Sequence, residues 1–216
     1  METETVTDPG GKTLSYRLDP LNGDRVLSQT DGPGRTTSYG YDTRGFVYTT
    51  TDPNGNVVTT GHDVRGNEVS HTSCQDQPAD ICTTSYDSYY PDDTSTSLTP
   101  DPRNDMLLTE RGPGSSSASD STYLTTYSYG TGGNLTAVTT PQVPGFPNGR
   151  TTTTTYTTTS TAAAGGGTTP AGLPAAVTSP GGAVTATQYY SNGTSPKSPT
   201  RTAWSPGTPT TTSAAC

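Results

Sequence analysis

The chain has 216 residues, a formal net charge of −8 and a mean hydropathy of −0.67, and only 24 residues are Leu, Ile, Val or Phe. That aliphatic supply is far below an ordinary globular core and on composition alone points to disorder. The eleven basic residues are scattered singly, which argues against nucleic acid as a partner, and no apolar run approaches the ~18 residues of a membrane span.

In chain order, residues 1–7 read as a lead-in. Met1-Glu-Thr-Glu4 has neither the basic start nor the apolar stretch of a signal peptide, so an export signal is expected on a longer parent protein. From Asp8 the text turns periodic. Asp31-Gly-Pro-Gly34 and Asp52-Pro-Asn-Gly55 lie 21 residues apart, and so do Asp42-Thr-Arg-Gly45 and Asp63-Val-Arg-Gly66. The four Asp and the four Gly each step by 11, 10 and 11. Each 21-residue unit therefore holds two D-x-x-G turns, and residues 8–72 form a regular tandem repeat. Asp8-Pro-Gly-Gly11 fits the pattern, and Asp19-Pro-Leu-Asn-Gly23 fits with one residue inserted.

The turn chemistry is specific. In Asp52-Pro53-Asn54-Gly55, Asp stands at position i of a type I turn, Pro at i+1 and Gly at i+3, where a left-handed conformation completes a G1 bulge. The runs between turns are six or seven residues long and alternate with period two, as in Phe46, Tyr48, Thr50 against Val47, Thr49, Thr51. Thr and 13 Tyr replace the missing aliphatics, and both suit half-buried strands. Strand, tight turn, strand at even spacing predicts an all-β antiparallel meander. Pro and Gly throughout, with no 3.6-residue apolar stripe, disfavour helix. At one strand per ~10–11 residues the chain supplies some 12–18 strands, and a sheet that wide tends to curl.

Residues 73–122 break the rhythm and read as an irregular insertion with one or two strands. Cys74 and Cys82, eight residues apart, suit a small disulfide-closed loop of an oxidising compartment, the alternative being two unpaired thiols. They lack the partners of a zinc site. Degenerate repeats are expected over 123–204, with turns at Gly130–Gly133 and Ser179–Gly182, a Thr/Ala/Gly-rich loop near 157–170, and a tail over 205–216.

Chemistry-bearing residues find structural uses. The acidic side chains follow the turns, so Asp31, Asp42, Asp52 and Asp63, with Gly34, Gly45, Gly55 and Gly66, are read as turn residues rather than as acid–base pairs. Calcium ligation would call for a G-G-x-G-x-D core, which is not present. His62 stands 21 residues after Tyr41 and substitutes for that tyrosine; His71 is read as a strand residue. No Ser sits in G-x-S-x-G. The expectation is a non-enzymatic chain without metal or cofactor. Tyr39, Tyr41 and Tyr48 are expected to pack across strands, with sugar stacking as the alternative use. Asn134-Leu-Thr and Asn192-Gly-Thr match the glycosylation acceptor pattern, a short motif that carries little weight alone.

The text Tyr39-Gly-Tyr41-Asp42-Thr-Arg-Gly45-Phe-Val, followed by Asp52-Pro-Asn-Gly55-Asn-Val-Val, resembles the YD repeat of RHS (rearrangement hot spot) proteins. Tyr127-Ser-Tyr129 with Gly133-Asn-Leu135 is a second match lacking the Asp. The resemblance is clear over 8–72 and 123–140, loose over 141–204 and weak over 73–122. It implies a sheet that winds into a shell which, in polymorphic toxins, encloses a C-terminal toxin domain. It implies as partners the rest of that shell and its cargo, and a secreted or cell-surface location. Neither the family's self-cleaving core segment nor a cargo domain is recognisable here. The expected role is a structural repeat module; the alternative is a module that binds carbohydrate or a cell surface.

Overall fold

The computed structural model describes residues 1–76, 81–90, 101–195 and 200–201. Among these the chain forms fifteen β-strands and one short 3-10 turn, Pro20–Asn22. The expected tail at 205–216 lies outside the described residues. The chain divides into two units, Met1–Pro100 with Asn104–Thr125, and Asp101–Arg103 with Thr126–Cys216.

The first unit holds β1 (Glu2–Thr7), β2 (Thr13–Asp19), β3 (Arg25–Asp31), β4 (Thr36–Tyr41), β5 (Val47–Thr51), β6 (Val57–His62), β7 (Glu68–Asp76), β8 (Ile81–Tyr90) and β9 (Met106–Arg111). Each strand pairs antiparallel with the next in sequence, which is a β-meander. One stretch differs from its reading in the sequence. The lead-in is mostly strand β1, paired from Glu2↔Leu18 to Thr7↔Thr13. The irregular stretch carries β8 and β9, which continue the meander in order.

In the second unit, β10 (Leu124–Tyr129, from Thr126 on), β11 (Leu135–Thr140), β12 (Arg150–Tyr156), β13 (Pro174–Thr178), β14 (Val184–Ala186) and β15 (Thr200–Arg201) pair in the same way.

Among the described residues no hydrophobic side chain is buried; the buried positions are Ser115, Thr157 and Thr169. Among the described residues of each unit, consecutive strands make the main contacts, which leaves apolar faces little to be hidden against. Threonine takes the place of Val and Ile. Its branched Cβ keeps the strand conformation, and its hydroxyl bonds across the ladder instead of needing burial. Thr49, Thr59, Thr72 and Thr84 stand in one row across β5–β8. Hydroxyl pairs link Thr30 with Thr36 (2.8 Å), Thr72 with Thr84 (2.8 Å) and Thr139 with Thr151 (2.9 Å).

The two turns of each repeat are not equivalent. Hairpins β3–β4, β5–β6 and β11–β12 run in plain register. Hairpins β2–β3, β4–β5, β6–β7, β8–β9, β10–β11 and β12–β13 each carry one extra residue in the second strand, next to the turn. In β4–β5, Gly40 pairs with Thr49 but Tyr41 pairs with Val47, so Tyr48 is the extra residue. Such a bulge leaves backbone groups outside the ladder and sharpens the local twist. Its recurrence from β2–β3 to β12–β13 decides where the tyrosines act; β7–β8 carries a further shift, with the extra residue in its first strand.

Candidate functional site

The repeated feature is a set of braces around the bulged turns. Their foundation is backbone. In the Asp42 turn the Asp42 amide donates to the Phe46 carbonyl (2.9 Å), and the Gly45 amide donates to the Asp42 carbonyl (3.1 Å). The same pair of bonds closes the turns at Asp8, Asp31, Asp52 and Asp63. It also closes those at Gly130, Ser179 and Tyr190, which have no Asp. The constant element is the glycine at i+3, with φ of +88° at Gly34, +94° at Gly45, +89° at Gly55 and +94° at Gly66. A side chain in that left-handed region costs about 1–2 kcal/mol.

The aspartate adds a second layer. Asp42 Oδ1 accepts the amides of Arg44 and Phe46 (2.9 and 3.0 Å), Asp52 Oδ1 those of Asn54 and Asn56 (2.8 and 2.9 Å), and Asp63 Oδ1 those of Arg65 and Asn67 (2.8 and 2.9 Å). Asp31 takes only the Arg35 amide (2.8 Å), because Pro33 at the intermediate position has no N–H.

These bonds favour the ionised carboxylate. The Arg35 side chain, then its amide, hold Asp31 below the usual carboxylate value, and the Asn56 side chain does the same for Asp52. At Asp42 and Asp63 partial desolvation is the largest single influence and opposes ionisation. The combined hydrogen bonds outweigh it and hold both groups low. Asp101 is drawn to about 2, first by the Arg103 side chain.

Asp87 on β8 behaves oppositely. Burial raises it, with Glu110 and Glu68 adding repulsion, and Glu110 stands directly across the ladder.

The sign of the pH dependence follows. The lowered aspartates contribute stability in full above the unfolded value of ~3.9. They lose it as pH falls through their folded values. Asp87 contributes the reverse, since protonation relieves it. Urea midpoints should therefore rise slightly as pH drops from 7 towards 4 and fall steeply below 4. Asp87→Asn should abolish the rise and leave the fall. A midpoint that stayed flat down to pH 2 would contradict this account.

The tyrosines form the third layer. Tyr41, beside the β4–β5 bulge, donates its hydroxyl to the Val26 carbonyl at 2.8 Å. Val26 is the residue paired with Leu18 beside the preceding bulge. Tyr156 donates to the Leu135 carbonyl (2.7 Å) and Tyr189 to the Pro174 carbonyl (2.9 Å). Leu135 and Pro174 are likewise the partners of Tyr129 and Tyr156 beside the preceding bulges. Tyr41 and Tyr189 immediately precede a turn and Tyr156 the 157–173 loop, and each reaches back to the bulge of the preceding bulged hairpin.

Cations complete the braces. The Arg25 guanidinium lies 4.7 Å from the Tyr41 ring centroid and 3.4 Å from Asp19 Oδ2. Arg44 donates to the His62 carbonyl (2.8 Å) and to the Asp63 carbonyl, tying the β4–β5 turn to the β6–β7 turn. Arg65 and Asn67 reach Asp105 at 2.7 and 2.8 Å. At His62 the peg is replaced by a stack on Phe46, with centroids 5.1 Å apart.

Several readings from sequence change in detail. Tyr39, Tyr41 and Tyr48, expected to pack across strands, meet different surroundings. Tyr39 pairs with Thr50, Tyr41 packs under Arg25, and Tyr48 is 49% exposed at its bulge. Arg44 and Arg65 went unremarked, although their 21-residue spacing was visible. The acceptor carbonyls carried no sequence signal, because any residue supplies one. Cys74 and Cys82 face each other across β7 and β8, joined as a disulfide. Among the described residues no group of three or more His, Cys, Asp or Glu is arranged to hold a metal ion.

With this geometry in view, the comparison with family models is direct: the RHS repeat matches residues 21–57. Residues 21–57 are an RHS repeat. The matched RHS segment contains Val26, Tyr41 and the turns at Asp31, Asp42 and Asp52. The same peg geometry recurs outside it, at Tyr156 and Tyr189. No curated protein matches the chain. Among solved structures, a chain of the TcdB2-TccC3-Cdc42 crystal structure aligns with 72% of this chain at 16% identity and a TM-score of 0.43. This chain spans 9% of that chain's length.

Proposed function

We propose that this RHS-repeat module is a wall segment of the shell of a larger secreted or cell-surface protein, and that the shell encloses a toxin domain encoded further along. Its partners are then the neighbouring repeats and the enclosed cargo. The observation that carries the reading is a meander whose described residues include no buried hydrophobic side chain. Strands are braced to their neighbours by pegs, guanidinium clamps and hydroxyl pairs, so the sheet holds its form by covering something rather than by burying itself. Enclosure requires such a wall and no reacting group.

Expressed alone, the segment should associate through its open strand edges and exposed apolar residues such as Val6 and Val47. Light scattering after size exclusion should report oligomers. A monomer with a sharp cooperative melt would argue against dependence on neighbouring repeats. Enclosure itself is tested on the whole gene product by limited proteolysis. The C-terminal domain should resist cleavage at least tenfold longer inside the intact protein than when free. Equal cleavage rates would remove the shell reading.

One observation favours carbohydrate binding as a second reading: the rings of Tyr48, Tyr123 and Tyr190 remain 44–49% exposed. Glycan-array binding lost on Tyr48→Ala would support it.

A further inference from the structure

The geometry points to Asn192 as an acceptor site for an N-linked glycan. The chain carries two acceptor triplets, Asn134-Leu-Thr136 and Asn192-Gly-Thr194, and the fold treats them differently. Asn192 lies in a turn of the repeat type, closed by the Tyr190 amide on the Thr194 carbonyl (2.8 Å) and the Gly193 amide on the Tyr190 carbonyl (2.9 Å). Here Tyr190 occupies the place of the turn aspartate, so the Thr194 amide lacks the carboxylate that the equivalent amides of Arg35, Phe46, Asn56 and Asn67 bond. Asn192 supplies the acceptor instead. Its Oδ1 takes the Thr194 amide at 3.0 Å and the Thr194 hydroxyl at 2.7 Å.

That arrangement suits the chemistry. An amide nitrogen is a poor nucleophile because its lone pair is delocalised onto the oxygen. Two donors fixed on Oδ1 stabilise the negative charge that grows there as Nδ2 gives up a proton, by the logic of an oxyanion hole. Nδ2 makes no hydrogen bond among the described residues, and Asn192 is exposed. In the transfer, Nδ2 attacks the anomeric carbon of a lipid-linked diphospho-oligosaccharide. The new N–C bond forms as the C–O bond to phosphate breaks, the lipid diphosphate leaves with the electron pair, and the Nδ2 proton passes to a base of the transferase.

Asn134 is set up otherwise. Thr136 lies in β11, and its hydroxyl donates to the Ser128 carbonyl at 3.0 Å, so it is not available to Asn134. The Cys74–Cys82 disulfide fits passage through an oxidising compartment, where such donors are met.

The test is secretion of the full chain from a eukaryotic cell behind a cleavable leader, with site occupancy measured by mass spectrometry after glycosidase release in heavy-oxygen water. Occupancy at Asn192 should exceed half, and at Asn134 it should stay at least fivefold lower. Asn192→Gln and Thr194→Ala should each remove the glycan, while Thr194→Ser retains part of it. Circular dichroism would check that the variants keep the parent's strand signal. An unmodified Asn192 on secreted chain would overturn the proposal, as would equal occupancy of the two triplets. The result is independent of the shell reading.

Discussion

Tyr41→Ala should lower the unfolding free energy by about 3 kcal/mol and Tyr41→Phe by about 1 kcal/mol, measured by urea titration beside the parent chain. The two substitutions separate two contributions. Phenylalanine keeps the ring under the Arg25 guanidinium, 4.7 Å from the centroid, and deletes only the hydroxyl that donates to the Val26 carbonyl. That carbonyl lies beside the β2–β3 bulge, and losing its donor forfeits a hydrogen bond of ordinary worth. Alanine removes the ring as well, leaving Arg25 without its aromatic partner in a sheet that has few other apolar groups.

Tyr39 offers the control. It lies two residues away on β4, and its hydroxyl makes no hydrogen bond among the described residues. Tyr39→Phe should therefore change stability by less than 0.5 kcal/mol, the usual range for substitutions away from such features. Equal losses for the Tyr39 and Tyr41 phenylalanine variants would show that the peg contributes nothing special.

Replacing Cys74 and Cys82 together with serine should cost about 2.5 kcal/mol, the loop-closure value for a link spanning eight residues. The effect should be matched by reducing the parent chain with dithiothreitol. The physical reason lies in the unfolded ensemble. The link joins directly opposed residues of β7 and β8, so it holds one hairpin closed when the remaining ladder is lost. The β7–β8 hairpin should then exchange its amide hydrogens more slowly in the oxidised chain than β5–β6 does, and the ranking should reverse on reduction. If reduction shifts the urea midpoint by less than the error of measurement, the disulfide is not a structural staple.

Much of the architecture was open to a reader of the sequence, because its causes are local. The 21-residue step, the D-x-x-G spacing and period-two alternation specify turns and strands within a few residues of where they act. Within each unit the meander needs no long-range choice, since each strand pairs with the next. The Asp31, Asp42, Asp52 and Asp63 turns were legible for the same reason.

The bulges were not. Whether Tyr41 faces Val47 or Tyr48 depends on how two strands settle against each other, and the same type of turn closes bulged and plain hairpins alike. The pairing of the lead-in was not legible for a similar reason. Glu2–Thr7 has a weak strand pattern, and it is ordered by the partner it finds in β2.

The 21-residue step therefore specifies, without any structure, a β-meander with glycine at i+3 of its turns. Backbone sterics act on a few adjacent residues, and those residues are written next to one another. Which tyrosine becomes a peg, which carbonyl receives it, and that Arg44 ties one turn to the next were decided only by tertiary structure. Those contacts join residues 15 to 21 positions apart across a bulge. A one-residue slip in register would send every one of those side chains to the other face.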